Sequence, residues 1–254
     1  MRKALIPFIS LLVIATCAFQ QGILAPIMTK APVSAASTIS QVSGHNCNGS
    51  SGGGNASTSN CAITTQSTGN MNVAVVFFCA NSSCNATGSG VTITVNDSTN
   101  AGNYTLCGRK DGSTSFVTGA VYYYSGIGST ASNTVTVTTG STVSYIRLYV
   151  SEWHSQGGSP CDSATFGSLD TTAASSPGAV VMAGSTAATN EAAFTALDTN
   201  VALTVPSTYT ALNTSDAGSG QTAFKIQAST GTFTGSWTWT GTANNALGLI
   251  VGLK

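Results

Sequence analysis

The sequence predicts an all-β protein, a jelly-roll-like antiparallel sandwich of two sheets. Three observations point there. Apolar residues recur with period two from residue 61 onward. Turn-rich segments interrupt these runs at short, regular spacing. No stretch carries a helix-length amphipathic pattern, and the best helical candidate, Asn190–Leu197, is about two turns long.

The first short strand is expected at 38–43. The Ser/Gly/Asn-rich segment that follows, GHNCNGSSGGGNASTS (44–59), reads as part of a flexible arm over 36–60, because small polar residues bury too little surface to order themselves. The sandwich domain is then 61–254. A strand at 62–67 precedes VAVVFFC (73–79), which is apolar on both faces and so belongs in a sheet covered on both sides. Val91, Ile93 and Val95 alternate with threonines and Asn96, and the turn NDSTNAGN follows. Strands are expected at 104–109 and 116–124. Val135 and Val137 alternate with Thr134, Thr136 and Thr138, and a strand at 145–154 ends in YVSEWHS. Further strands fall at 179–185 and 207–212. Phe224, Ile226 and Ala228 form one alternating face, and Phe233, Gly235, Trp237 and Trp239 another. The last run, ALGLIVGL (246–253), is again apolar on both faces. Its Gly248 and Gly252 share a face with Ile250 and mark a close approach by another backbone or a large aromatic ring. No internal repeat is visible in the residues.

Residues 1–35 read as an export signal. Arg2 and Lys3 precede the apolar run Ala4–Phe19, and Val33-Ser34-Ala35 offers a cleavage site, with Thr16-Cys17-Ala18 an earlier one. The run is short for a membrane span, which needs about 20 apolar residues. Cleavage leaves five basic residues (Arg109, Lys110, Arg147, Lys225, Lys254) against eight acids, a net charge of −3. That balance argues against nucleic acid and, after cleavage, against a membrane surface as partner. Charged residues are only 6% of the chain, where an ordinary domain carries about 25%.

Seven cysteines become six when Cys17 leaves with the signal, and an even number in an exported chain argues for disulfides. Proximity in sequence favours Cys47–Cys61 and Cys79–Cys84, which leaves Cys107–Cys161. A zinc site is disfavoured, because no second Cys/His pair matches the Cys79–Cys84 spacing. Neither a metal nor a cofactor is implied.

Glu152 and His154 are the candidate catalytic pair. Parity places them on the face of Ile146, Leu148 and Val150, the core side, at the point where the strand leaves the sandwich. A carboxylate there needs donors from loop backbone or a tyrosine. A glycosidase would need a second carboxylate, from Glu191 or Asp97, and neither spacing is a known signature. The structural reading of Glu152 outweighs the catalytic one. No nucleophile elbow, phosphate loop or zinc-protease motif occurs. Trp237 and Trp239 face away from an all-hydroxyl side and are expected in the core. Tyr149 and Trp153, on the opposite face of their strand from Glu152, are candidate ligand-binding residues, and so is Tyr123 in the consecutive tyrosines 122–124.

VAVVFFCA, VTITVNDSTNAGNYTLCGRK, VYYYSG, NTVTVTT and YIRLYVSEWHS follow one another in a recognisable order, and the segment from Tyr209 to Lys254 completes it. This pattern, over roughly residues 62–254, resembles a diffuse group of exported bacterial and phage-associated β-sandwich modules. The resemblance implies a fold and carries no reaction. The function expected is that of a secreted, disulfide-stabilised, non-enzymatic structural or adhesive subunit at the cell surface or outside it. Its partners would be copies of itself, through poorly guarded edge strands and the 36–60 arm, or surface glycans. A carbohydrate-binding module is the alternative, and a glycan-active hydrolase using Glu152 the third reading.

Overall fold

The computed structural model describes residues 38–52, 55–155, 159–171, 178–214, 219–243 and 245–254. The proposed export signal, 1–35, lies outside them. Among the described residues the chain forms β-strands and no helix. The strands are β1 (Ser40–Ser51), β2 (Ala56–Gln66), β3 (Met71–Cys79), β4 (Ile93–Asp97), β5 (Thr105–Asp111), β6 (Val117–Ser125), β7 (Thr130–Val143), β8 (Tyr145–His154), β9 (Cys161–Thr171), β10 (Gly178–Val181), β11 (Ala192–Thr199), β12 (Leu203–Thr204), β13 (Thr210–Thr214), β14 (Gly220–Ile226), β15 (Thr234–Trp239) and β16 (Ala246–Leu253).

These strands make four antiparallel sheets, not two. The order β1-β8-β3-β6-β5 faces β2-β7-β4, and the order β9-β16-β11-β14-β13 faces β10-β15-β12. The second set repeats the first with every label raised by eight. The chain is therefore two sandwiches of one topology, stacked through their five-stranded sheets. Irregularities repeat as well. The register of β5 against β6 slips between Leu106 and Gly108, and that of β13 against β14 slips between Ala211 and Asn213, in the related segments YTLCG and YTALN. In β1, the five steps from Gln41 to Asn46 face two steps on β8; in β9, the five from Asp162 to Gly167 face two on β16. Bulges are specific backbone features, so their coincidence marks an internal duplication of which the side chains keep little beyond this one pair of segments.

Three core layers hold the stack. Val76, Phe78, Leu148 and Val150 pack against Ile63, Val135 and Val137 of the first outer sheet. Leu197, Ala246 and Ile250 pack against Val180, Trp237 and Trp239 of the second. Between the sandwiches, Val73, Val75, Phe77, Tyr149 and Trp153 meet Phe194, Ala196, Leu249 and Val251. The five-stranded sheets are thus covered on both faces, which is why β3, β11 and β16 are buried throughout.

The seam has the contacts of a pseudo-twofold. The fifth strand of each sandwich lies against the first strand of the other. Cys107 on β5 is bonded to Cys161 on β9, and Gly108 leaves room for the Phe166 ring, which any Cβ would strike. In the equivalent contact, the Asn46 amide on β1 donates to the Leu212 carbonyl on β13. β3 and β11 both finish at one end of the stack, with β8 and β16 both finishing at the other.

The expected flexible arm over 36–60 is corrected. Residues 40–51 are β1, paired with β8, and residues 56–66 are β2, paired with β7. Edge strands need no alternating apolar face when neighbours satisfy their backbone. Gly49 lets the Asn60 carbonyl approach closely, and the Cys47–Cys61 disulfide joins the two strands. The helical candidate 190–197 is also corrected, since it falls largely in β11. Ala193 and Leu197 face one core layer while Ala192, Phe194 and Ala196 face the other, so burial on two sides overrides the helix propensity of alanine. What approaches Gly248 most closely is the Val180 and Leu197 side chains, and Gly252 faces Thr165 and Glu191, so aliphatic and polar side chains take the place expected for an aromatic ring or a backbone.

Candidate functional site at one end of the first sandwich

Both histidines of the chain converge on Glu152. Position 152 lies on the Leu148 and Val150 side of β8, opposite Asn72 of β3, and its side chain is fully buried. Its Oε2 meets His45 Nδ1 at 2.6 Å. Its Oε1 accepts from the Ser67 backbone N–H at 3.0 Å and from Asn70 Nδ2 at 2.6 Å. Asn70 Oδ1 in turn lies 2.8 Å from His154 Nδ1. A buried carboxylate is tolerable only when donors surround it, and here three do. His45 comes from the bulge of β1, and Ser67 and Asn70 from the turn before β3. No sequence signal pointed to His45, because it lies in the segment whose composition resembles a loop.

A second polar network adjoins the first. Gln66, Asn72, Asn133 and Tyr104 are buried and mutually bonded, with Asn72 Nδ2 donating to Tyr104 Oη at 2.9 Å and Tyr104 donating to Asp97 Oδ2 at 3.0 Å. Burial pulls the Asp97 carboxyl upward, but hydrogen bonds from Asn100, Thr99 and Asn133 outweigh it and hold the group below its usual range. Burial, with Asp97 beside it, drives the Tyr104 hydroxyl far above its ordinary value.

The candidate partners for catalysis are not brought to Glu152. Asp97 is engaged by Asn100, Thr99 and Tyr104. Glu191 belongs to the second sandwich, where it too is fully buried, and its Oε1 accepts from the Ala188 N–H at 2.8 Å. It lies against Gly252, at the same end of its sandwich as Glu152 of its own. The two glutamates of the chain are therefore both interior groups. Burial raises the Glu191 carboxyl, and its Oε2 has no hydrogen-bond partner among the described residues.

The aromatic binding patch is corrected. Trp153 and Tyr149 do lie opposite Glu152 across the strand, but that face is the seam between the sandwiches. Trp153 is fully buried, edge-on to Phe194 and Phe224 at 6.0 and 5.0 Å, and its indole N–H donates to Ser151. Tyr149 is 2% exposed and edge-on to Phe77. Tyr123 is half-buried and packs against the same core. A two-sheet sandwich would leave that face wet; the second sandwich covers it. Trp237 and Trp239 are in the outer core.

The six cysteines form Cys47–Cys61, Cys79–Cys84 and Cys107–Cys161. Three disulfides fit an oxidising environment. Among the described residues no group of three or more His, Cys, Asp or Glu side chains is placed to hold a metal ion. Comparison with protein-family models, with curated proteins and with solved structures finds no match.

Proposed function

We propose that the protein is a secreted, non-enzymatic structural or adhesive subunit, acting outside the cell or on its surface and associating with copies of itself. The carrying observation is the chemistry of its two outer sheets. On the first, Thr58, Thr138 and Thr94 lie side by side across three strands, followed by Asn60, Thr136 and Asn96. On the second, Thr234, Ser236 and Thr238 run along β15, flanked by Val181, Ala179 and Thr204. Neither of these rows carries a charge. Surfaces usually hold single-sign or mixed charges that keep copies apart, and broad hydroxyl and amide faces lack that repulsion. The stapled double sandwich supplies a stiff body behind them. Enclosure of Glu152 and Glu191 speaks against the hydrolase reading, since a glycosidase needs two carboxyl groups flanking its substrate.

The test is the assembly state of the oxidised protein, by sedimentation and electron microscopy. Concentration-dependent association is expected, and a Thr136→Lys, Ser236→Lys double variant should abolish it. A strictly monomeric protein that also fails to adhere to cell surfaces would sink the reading. The donated-arm version is not retained, because residues 40–51 are already paired within the chain.

A further inference from the structure

A cleft of about 340 Å³ opens at the end of the stack where β3 and β11 finish, away from Glu152. Ser83 and Cys84 come from the turn after β3, and Thr114, Ser115 and Phe116 from the turn between β5 and β6. Asn200 follows β11, and Asn245 precedes β16. Both sandwiches therefore contribute to it. We propose that this cleft is a binding site for a neutral saccharide. The proposal gives the adhesive reading a ligand class and rests on that reading for where the sugar is met.

Four features carry it. Among the described residues the lining holds hydroxyls, amides and one aromatic ring, with no ionisable side chain. That suits a ligand of many hydroxyls and no charge, and it disfavours phosphates, uronic acids and peptide termini, which call for charged partners. The volume lies within the usual range for small-ligand sites, about 300–1,000 Å³. The Asn245 Oδ1 is shielded from solvent and has no hydrogen-bond partner among the described residues. Because the residue also lines the cleft, a turn of its side chain would present this unpaired acceptor to a ligand hydroxyl. Finally, the loops are held in unusual backbone shapes. Cys84 and Phe116 have φ of 45° and 55°, and both line the cleft. Such conformations persist where the surroundings enforce them and cluster at ligand sites. Here the enforcement is visible. The Cys79–Cys84 disulfide fixes one turn. Asp170 of the second sandwich fixes the other, accepting from the backbone N–H groups of Ser113, Thr114 and Ser115 at 2.8, 3.2 and 2.8 Å. Preorganised loops lose little freedom on binding. The half-buried Phe116 lines the cleft, and an aromatic face there would suit the apolar side of a pyranose.

The experiment is titration calorimetry, backed by ligand-observed NMR. The probes are glucose, galactose, mannose and N-acetylglucosamine, their β-linked dimers, and one glucuronic-acid dimer. Saturable binding of at least one neutral probe is expected, with the acidic dimer no tighter than its neutral counterpart. Phe116→Gly, which suits the positive φ, and Asn245→Ala should each weaken that binding about tenfold, the loss of one good contact. Unchanged thermal unfolding would show that both variants fold. No saturable binding of any neutral probe overturns the proposal, as does equal binding by both folded variants. Sugar binding retained by a Thr136→Lys, Ser236→Lys variant that no longer associates would support the cleft and separate it from self-assembly. Association retained without sugar binding would remove the cleft alone.

Discussion

Arg147 of the first sandwich and Asp198 of the second form a buried ion pair across the seam, and Tyr145 adds a 2.7 Å hydrogen bond to the same carboxylate. Asp198 is 1% exposed. Burial raises its carboxyl, while Arg147 and Tyr145 oppose the rise. Removing one member of such a pair leaves the other buried and uncompensated. Arg147→Ala, which leaves the buried Asp198 carboxylate without its cation, should therefore cost about 3–5 kcal/mol in denaturant unfolding, and a loss under about 1 kcal/mol would mean the pair is solvated.

Glu191 makes a pH-dependent prediction. Burial lifts its carboxyl above the ordinary value of 4.5. A folded-state value above the unfolded one means the folded chain holds the proton more tightly. The stability this contributes is present below about pH 4.5 and is lost as pH rises through the raised value. Glu191→Gln should thus unfold at higher temperature than wild type at neutral pH, with the gain vanishing near about pH 4. A gain of equal size at both pH values would place the effect in packing.

The Cys107–Cys161 bond spans a sequence separation of 54 and joins the sandwiches. Cys107→Ser with Cys161→Ser should lower stability by about 2–4 kcal/mol. Chemical denaturation with the other two disulfides intact measures it.

Glu152 is held inside the first sandwich by Ser67, Asn70 and His45. Glu152→Ala would orphan the buried Asn70 amide, at about 1–3 kcal/mol for a buried donor without a partner, and would take the acceptor from the half-buried His45 and from the exposed Ser67 N–H. A large fall in melting temperature is expected. Turnover of any glycan by wild type that Glu152→Gln abolishes would contradict a structural role for Glu152.

The seam layer makes each sandwich dependent on the other. Residues 38–155 alone would expose Val73, Val75, Phe77 and Trp153. Because the seam has pseudo-twofold contacts, that fragment should pair with itself through the same face or aggregate. A stable, soluble monomer in sedimentation would contradict this.

Local alternation made much of the fold legible. VAVVFFC and ALGLIVGL read as strands covered on two sides, and they are most of β3 and all of β16. The parity of Glu152 with Val150 also holds. What alternation cannot register is the partner of a face. Trp153 and Tyr149 lie on the side parity assigned them, yet a whole second sandwich lies against it. The duplication escaped for a related reason. Strand order and bulge position are properties of backbone pairing, and Val135 and Val137 can become Trp237 and Trp239 without disturbing either. His45 and Asn70, which bond the Glu152 carboxylate, reach it from other strands and loops, across 107 and 82 positions of sequence.

The direction of the strands gives the body a base and a tip. Ser40 pairs with His154, and Ser155 Oγ bonds the Lys254 carbonyl, so the described chain starts, crosses between sandwiches and finishes at one pole. Anything attached ahead of residue 38 or behind residue 254 leaves from that base. The cleft loops occupy the opposite pole. A protein held by either terminus would carry them outermost, as the first part of the molecule a neighbouring surface meets.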